Sequence, residues 1–180
     1  MDIVPSKLKN YKEILPHIKA IVLDVDGVLT DGSITLLADG SQGRTMNIKD
    51  GYALQLAVKM GIHVAIISGG KGESLRQRLE YLGIHHIYLG SANKTESLND
   101  FLISTNLLAN NVLYMGDDLP DYQVMKKVAL PCCPADAAHE IREISLYVSS
   151  LPGGKGCVRD VIEQVLKVQK KWATPEGFSW

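Results

Sequence analysis

The sequence predicts an α/β protein: a doubly wound, Rossmann-like parallel sheet sandwiched by helices, with a small β-hairpin insertion and no lid domain. Three observations carry this. Short aliphatic runs such as Ile21-Val22-Leu23, Val64-Ala65-Ile66-Ile67 and Val112-Leu113 read as strands buried on both faces. Segments of helical periodicity separate them, the order that right-handed parallel crossovers produce. Polar residues gather just after the strand runs, where an open parallel sheet places its chemistry.

Taken in order, residues 21–25 form the first strand. Segments 33–37 and 44–48 flank Ala38-Asp39-Gly40-Ser41, a turn-rich stretch that predicts a β-hairpin. Residues 50–60 are helical, with Ala53, Leu54, Ala57 and Val58 on the apolar face and Gly61 as the stop. A second strand over 64–67, a helix over 73–82 closed by Gly83, a third strand over 87–89, a helix over 94–104 and a fourth strand over 112–115 follow. Helices are expected over 119–127, 135–144 and 159–172, and short strands over 128–130 and 147–148. Val158, Val161, Ile162, Val165 and Trp172 recur at helical spacing and are expected to face the core. Residues 1–172 read as one domain and 173–180 as a tail. Pro175 and Gly177 predict that the tail leaves as an extended segment, and Phe178 and Trp180 that it docks, on its own subunit or another.

Composition narrows the function classes. A hydrophobic fraction of 46% and a charged fraction of 22% are ordinary for a soluble globular protein. A net charge of −1 offers no basic excess for nucleic acid or anionic lipid. No apolar run is long enough to cross a membrane, and residues 1–11 carry no apolar signal core, so a cytoplasmic location is expected. Cys132, Cys133 and Cys157 are odd in number, with two adjacent, and suit neither a disulfide framework nor a zinc site. Reduced thiols are expected.

The chemistry begins at Asp24-Val25-Asp26-Gly27, two carboxylates at the end of the first strand. Alone, this pattern reads equally well as a charged turn. Ser68 ends the second strand, Lys94 lies just beyond the third, and Gly116-Asp117-Asp118 follows the fourth, with Asp121 three positions on. One sheet edge therefore gathers five carboxylates, a hydroxyl and an ammonium. Such charge in a crevice calls for a cation, and an all-oxygen set suits Mg²⁺. Ser68 and Lys94 then offer a donor and a positive charge to phosphoryl oxygens.

These residues resemble the haloacid dehalogenase superfamily of phosphohydrolases over roughly the core 21–148. The resemblance implies that Asp24 is the nucleophile that becomes an aspartyl-phosphate and that Asp26 protonates the leaving alcohol and then activates water. It further implies that Asp24, the Asp26 backbone carbonyl and Asp117 hold Mg²⁺, with Asp118 and Asp121 behind them. Members of this superfamily often carry a cap domain. Only 44 positions separate Asp24 from Ser68 and 26 separate Ser68 from Lys94, and both intervals are filled by predicted elements. A second domain needs at least ~50 residues. The site is thus expected to be open in one subunit and closed over a small substrate by the hairpin or tail of a neighbour.

A finer likeness, to the capless subgroup acting on phosphorylated 3-deoxy-2-ulosonic acids, rests on residues 24–32, Asn47-Ile48-Lys49-Asp50-Gly51-Tyr52, residues 115–121, and Gly153-Gly154-Lys155-Gly156 ahead of Arg159. It implies a homotetramer with shared sites, a sugar-acid phosphate as substrate, and a product used as a lipopolysaccharide precursor. Expected substrate contacts are Gly27, Thr30, Asn47, Lys49, Asp50, Gly69, Gly70, Lys71 and Arg78. Where several members of that subgroup have arginine, and a nine-carbon-acid relative has glutamate, this chain has Gly70. Eight- and nine-carbon acids both remain open on that ground. The Gly-Gly-Lys-Gly stretches at Gly69 and Gly153 lack the Ser or Thr of a P-loop, and His85-His86 reads as a surface turn. A phosphorylation-driven receiver module would place its acceptor Asp after the third strand, where Gly90 stands. A catalytically dead subunit would lack part of the set, and nothing is missing.

Overall fold

The structure, a computed structural model, describes residues 10–178; the expectations for residues 1–9 and for Trp180 lie outside them. The chain opens with α1 (Tyr11–Ile14), whose N-terminus is capped by the Asn10 side chain accepting from the Lys12 amide at 3.1 Å. There follow β1 (Ala20–Leu23), β2 (Thr35–Leu36), β3 (Gln42–Gly43), α2 (Ile48–Lys59), β4 (His63–Ser68), α3 (Glu73–Tyr81), β5 (His86–Leu89), α4 (Lys94–Thr105) and β6 (Val112–Met115). The remaining elements are α5 (Tyr122–Met125), β7 (Leu130–Cys133), α6 (His139–Ile144), β8 (Tyr147–Val148) and α7 (Cys157–Val168).

Six strands make one sheet in the order β5-β4-β1-β6-β7-β8, and every neighbouring pair is parallel. β2 and β3 form a separate antiparallel ribbon. Alternation along each strand sends side chains into two cores. From β1, Ile21 and Leu23 join Ile66 and Met115 under α2, α3 and α7, while Ala20 and Val22 join Ile67 and Tyr114 under α4, α5 and α6. Full burial of each such aliphatic side chain stabilises the fold by about 1.5–3 kcal/mol. β1 is central, with Leu23 in register with Ile66 of β4 and Met115 of β6. The carboxyl ends of three strands therefore meet, and whatever follows each of them faces its neighbours.

Several boundaries differ from the sequence reading, each for a local reason. The hairpin pairs only Thr35–Leu36 with Gln42–Gly43, so Arg44 to Asn47 form a return segment rather than a strand. Ile48 starts α2 because the Asn47 side chain caps it, accepting from the Lys49 amide at 2.8 Å. The strand expected over 128–130 is β7, shifted onward to include Pro131, Cys132 and Cys133; proline and cysteine had masked its pattern. All three cysteines are free and buried. The helix expected over 119–127 is a 3-10 turn (Leu119–Asp121), entered through Pro120, followed by the short α5. Residues 135–138 are not helical, and α6 begins only at His139. α7 begins at Cys157 and ends at Val168; Lys170 has a φ of 58°. Trp172 lies beyond the helix yet still packs on the core, its ring 5.2 Å from the Arg159 guanidinium. The tail does not leave as an extended segment: Pro175–Phe178 forms a 3-10 turn, and the Tyr52 hydroxyl of α2 donates to the Gly177 carbonyl. His86 is no turn residue but part of β5, edge-on to Phe101 at 5.0 Å.

Candidate active site

Asp24 directly follows β1, its amide donating to the Met115 carbonyl at 3.1 Å. Its Oδ1 accepts from the next amide, Val25, at 2.7 Å, which fixes the side chain toward the sheet edge. Gly27 turns the chain at a φ of +89°, and a Cβ there would fall within the Asp117 carboxylate. Glycine at this position lets the loops after β1 and β6 touch. Ser68 ends β4, and its Oγ accepts from the Gly70 amide at 3.1 Å. Lys94 is the first residue of α4, which is capped by Asn93.

Asp24, Asp26, Ser68, Lys94, Asp117 and Asp121 line one cleft of about 340 Å³, together with Gly69, Gly70, Ser91, Asp118 and Pro120. The Lys94 ammonium lies 2.8 Å from Asp24 Oδ2 and 2.7 Å from Asp121 Oδ1. Asp121 is fully buried and also accepts from the Tyr114 hydroxyl at 2.7 Å and, through Oδ2, from the Asp117 amide at 3.3 Å. Both of its oxygens are thus committed to holding Lys94 and the Asp117 loop. Asp118 is turned outward and caps the following 3-10 turn, accepting from the Leu119 amide at 2.8 Å.

Charge is crowded here. Asp24, Asp117 and Asp121 each bring a carboxylate oxygen within 4.8 Å of the others. Burial, reinforced by the Asp121 charge, pushes Asp24 up to about 6 against the pull of Lys94. Burial and the charges of Asp24 and Asp121 push Asp117 to about 7. Burial works to lower Lys94, but Asp121 and Asp24 outweigh it and the lysine is raised, a firmly charged ammonium. Burial also raises the Tyr114 phenol well above its usual range, so it remains a neutral donor to Asp121. One lysine does not balance three close carboxylates. The donor set, oxygen only and anionic, fits a hard divalent cation.

Sequence reasoning missed Arg44. It lies on the return segment of the hairpin and grips Asp26 with two of its three guanidinium nitrogens, Nε to Oδ1 at 2.6 Å and Nη2 to Oδ2 at 3.0 Å. The available cue was that Arg44 is the single basic residue between Ser33 and Ile48. Tyr114 was also missed, because within an apolar strand run it reads as core.

Of the expected substrate contacts, Gly69 and Gly70 line the cleft, and Lys71, the next residue in the chain, is exposed. Arg78 lines a separate cavity of about 250 Å³ with Arg44 and Met46. Asn47 and Lys49 line another, of about 570 Å³, with Lys155 and Arg159. Two contacts are corrected. Thr30 is fully buried, its hydroxyl donating to the Val25 carbonyl and accepting from the Gly32 amide, so it shapes the loop. Asp50 is 1% exposed and accepts from the Arg159 amide at 2.7 Å, capping α7 from α2.

Six polar residues at the carboxyl edge of a doubly wound sheet, in the order Asp-x-Asp, Ser, Lys, Asp-Asp and with no inserted lid, define a phosphohydrolase of the haloacid dehalogenase superfamily. A scan against protein-family models finds no match. The sequence is 38% identical over 176 residues to 3-deoxy-D-manno-octulosonate 8-phosphate phosphatase KdsC of Salmonella typhimurium, covering 94% of each chain. The chain belongs to this family, the 3-deoxy-D-manno-octulosonate 8-phosphate phosphatases. Among solved structures, the phosphatase of that name from Yersinia pestis superposes with a TM-score of 0.88 at 34% identity, over 91% of this chain and 88% of that one. The Moraxella catarrhalis phosphatase, described in complex with magnesium ion, phosphate ion and KDO, gives 0.86 at 32% identity, over 89% and 92%.

Proposed function

We propose that this chain hydrolyses 3-deoxy-D-manno-octulosonate 8-phosphate to 3-deoxy-D-manno-octulosonate and phosphate, with Mg²⁺, through an aspartyl-phosphate on Asp24. The observation that carries it is the buried Asp24–Lys94–Asp121 chain, closed at 2.8 and 2.7 Å, beside Asp117. It aims a carboxylate nucleophile and an ammonium into the same cleft. Asp24, the Asp26 backbone carbonyl and Asp117 would hold Mg²⁺. The ion supplies charge neutralisation for the carboxylates and the phosphoryl oxygens.

In the first displacement an Asp24 oxygen bonds to phosphorus while the sugar oxygen leaves and takes a proton from the Asp26 carboxyl. Ser68 and Lys94 offer hydrogen bonds and charge to the phosphoryl oxygens. In the second, water attacks the aspartyl-phosphate, Asp26 takes its proton, and phosphate departs, restoring Asp24. Asp118 and Asp121 support, the latter through Lys94. Gly27, Gly69, Gly70 and Lys71 border the substrate's path, and Asn47, Lys49 and Arg78 would meet substrate from a neighbouring subunit. The catalytic unit is residues 1–172. We infer a cytoplasmic homotetramer feeding lipopolysaccharide synthesis. Support for assembly comes from the hairpin, where Ile34, Leu36 and Leu37 are 45%, 76% and 49% exposed.

Phosphate release from eight- and nine-carbon acid phosphates, with and without Mg²⁺, tests the reading. Faster turnover of the eight-carbon ester, reversible arrest by chelator, and an inactive but folded Asp24→Asn variant are expected. Preference for the nine-carbon ester would reassign the substrate, and an active Asp24→Asn would remove the nucleophile.

A further inference from the structure

We infer that Arg44 is a positioning residue, by which the hairpin holds the Asp26 carboxylate in place for proton transfer across space that Gly70 leaves open. This rests on the reading of Asp26 as the acid–base group.

Asp26 lies in the loop after β1, where backbone pairing has ended. Among the described residues, Arg44 is the side chain that hydrogen-bonds its oxygens, and it takes both, at 2.6 and 3.0 Å. A planar guanidinium on a carboxylate fixes orientation as well as distance, which an ammonium does not. The two residues are 18 positions apart, so the pair ties the hairpin to the catalytic loop. A third segment joins them: Arg44 Nη1 lies 3.5 Å from the Lys71 carbonyl, at the limit of a hydrogen bond.

Gly70 supplies the independent observation. It does not adopt a positive φ, so its backbone has no need of glycine. A Cβ there would instead stand 2.9 Å from Arg44 Nη2, 3.0 Å from Asp26 Oδ2 and 3.4 Å from Ser68 Oγ. The missing side chain is the room in which the Arg44–Asp26 pair sits. An ion pair that merely decorated the surface would contribute little and would ask nothing of residue 70. A misplacement of about 1 Å in a proton-transfer group costs on the order of 10²-fold in rate.

The test uses the full chain with Mg²⁺ and the eight-carbon ester. Arg44→Met is expected to lower kcat about 10- to 100-fold, with KM and thermal midpoint close to wild type. Millimolar guanidinium ion is expected to restore part of that kcat. Arg44→Lys, which keeps the charge but cannot chelate both oxygens, should fall between the two and serves if the methionine variant fails to fold. A kcat near wild type overturns the inference. So does a loss expressed in KM alone, or one matched by loss of folded protein. Asp26→Asn runs alongside: if that variant turns over normally, the acid–base reading itself fails. An inactive Asp26→Asn beside a fully active Arg44→Met sinks only the role of Arg44.

Discussion

Lys94 is held by two carboxylates, and one of them, Asp121, is held in turn by Tyr114. Removing the phenol oxygen leaves the fully buried Asp121 with one fewer donor. Tyr114→Phe is therefore expected to cost about 1–2 kcal/mol of stability and to slow turnover several-fold, because Lys94 loses its fixed partner. Denaturant unfolding and kcat measured on the same preparation check this; an unchanged kcat would separate the tyrosine from the chemistry. Asp24, Asp26, Ser68, Lys94 and Asp117 were all legible in the sequence, because each stands just past a recognisable apolar run and parallel sheets expose those positions. Arg44 and Tyr114 were not. The first acts across 18 positions from a hairpin whose register the sequence leaves loose. The second is a hydrogen-bond donor placed where periodicity reports only burial.

At the level of elements, strands and long helices came through while short irregular pieces did not. α2, α3 and α4 have caps or stops that a sequence displays, and the structure moved their ends by no more than two residues. β7 and α5 are set by tertiary contacts: Pro131 is tolerated inside β7, and Pro120 turns the chain before α5 has room to form. α7 is the instructive case. Its N-cap, Gly156, brings no side chain, and Asp50 of α2 supplies the missing acceptor at Arg159. Read from sequence, Asp50 stood among the substrate contacts through the likeness over residues 47–52, and an acid in the first turn of its own helix gives no sign of the second helix it will cap. Asp50→Ala should lower stability by about 0.5–2 kcal/mol with kcat and KM little changed in the folded fraction. A selective rise in KM with stability intact would return Asp50 to the substrate.

The molecule as a whole presents an open cleft with no inserted lid, beside a hairpin with three exposed aliphatic residues. A small ester in an open cleft remains exposed to water, and in the proposed tetramer another copy of the chain would supply the closure. Leu36→Asp is expected to shift sedimentation toward monomer and to raise KM, because the substrate loses the neighbouring wall; a fully active monomer would end the shared-site reading.

Metal loading adds a second test at this scale, and its sign follows from the acids. Without metal, Asp24 and Asp117 have folded-state values near 6 and 7 against 3.8 for the free side chain. The folded chain thus binds protons more tightly than the unfolded one. That contribution is full below about pH 4 and is lost as pH rises through 6 and 7. The metal-free protein should therefore lose stability across this window from these two groups. Mg²⁺ binds the ionised carboxylates and competes with those protons, stabilising the folded state in proportion to its occupancy. The rise in melting temperature on adding Mg²⁺ should be large at pH 8 and shrink toward nothing near pH 5. A shift that is independent of pH, or larger in acid, would mean that the ion binds elsewhere than between Asp24 and Asp117.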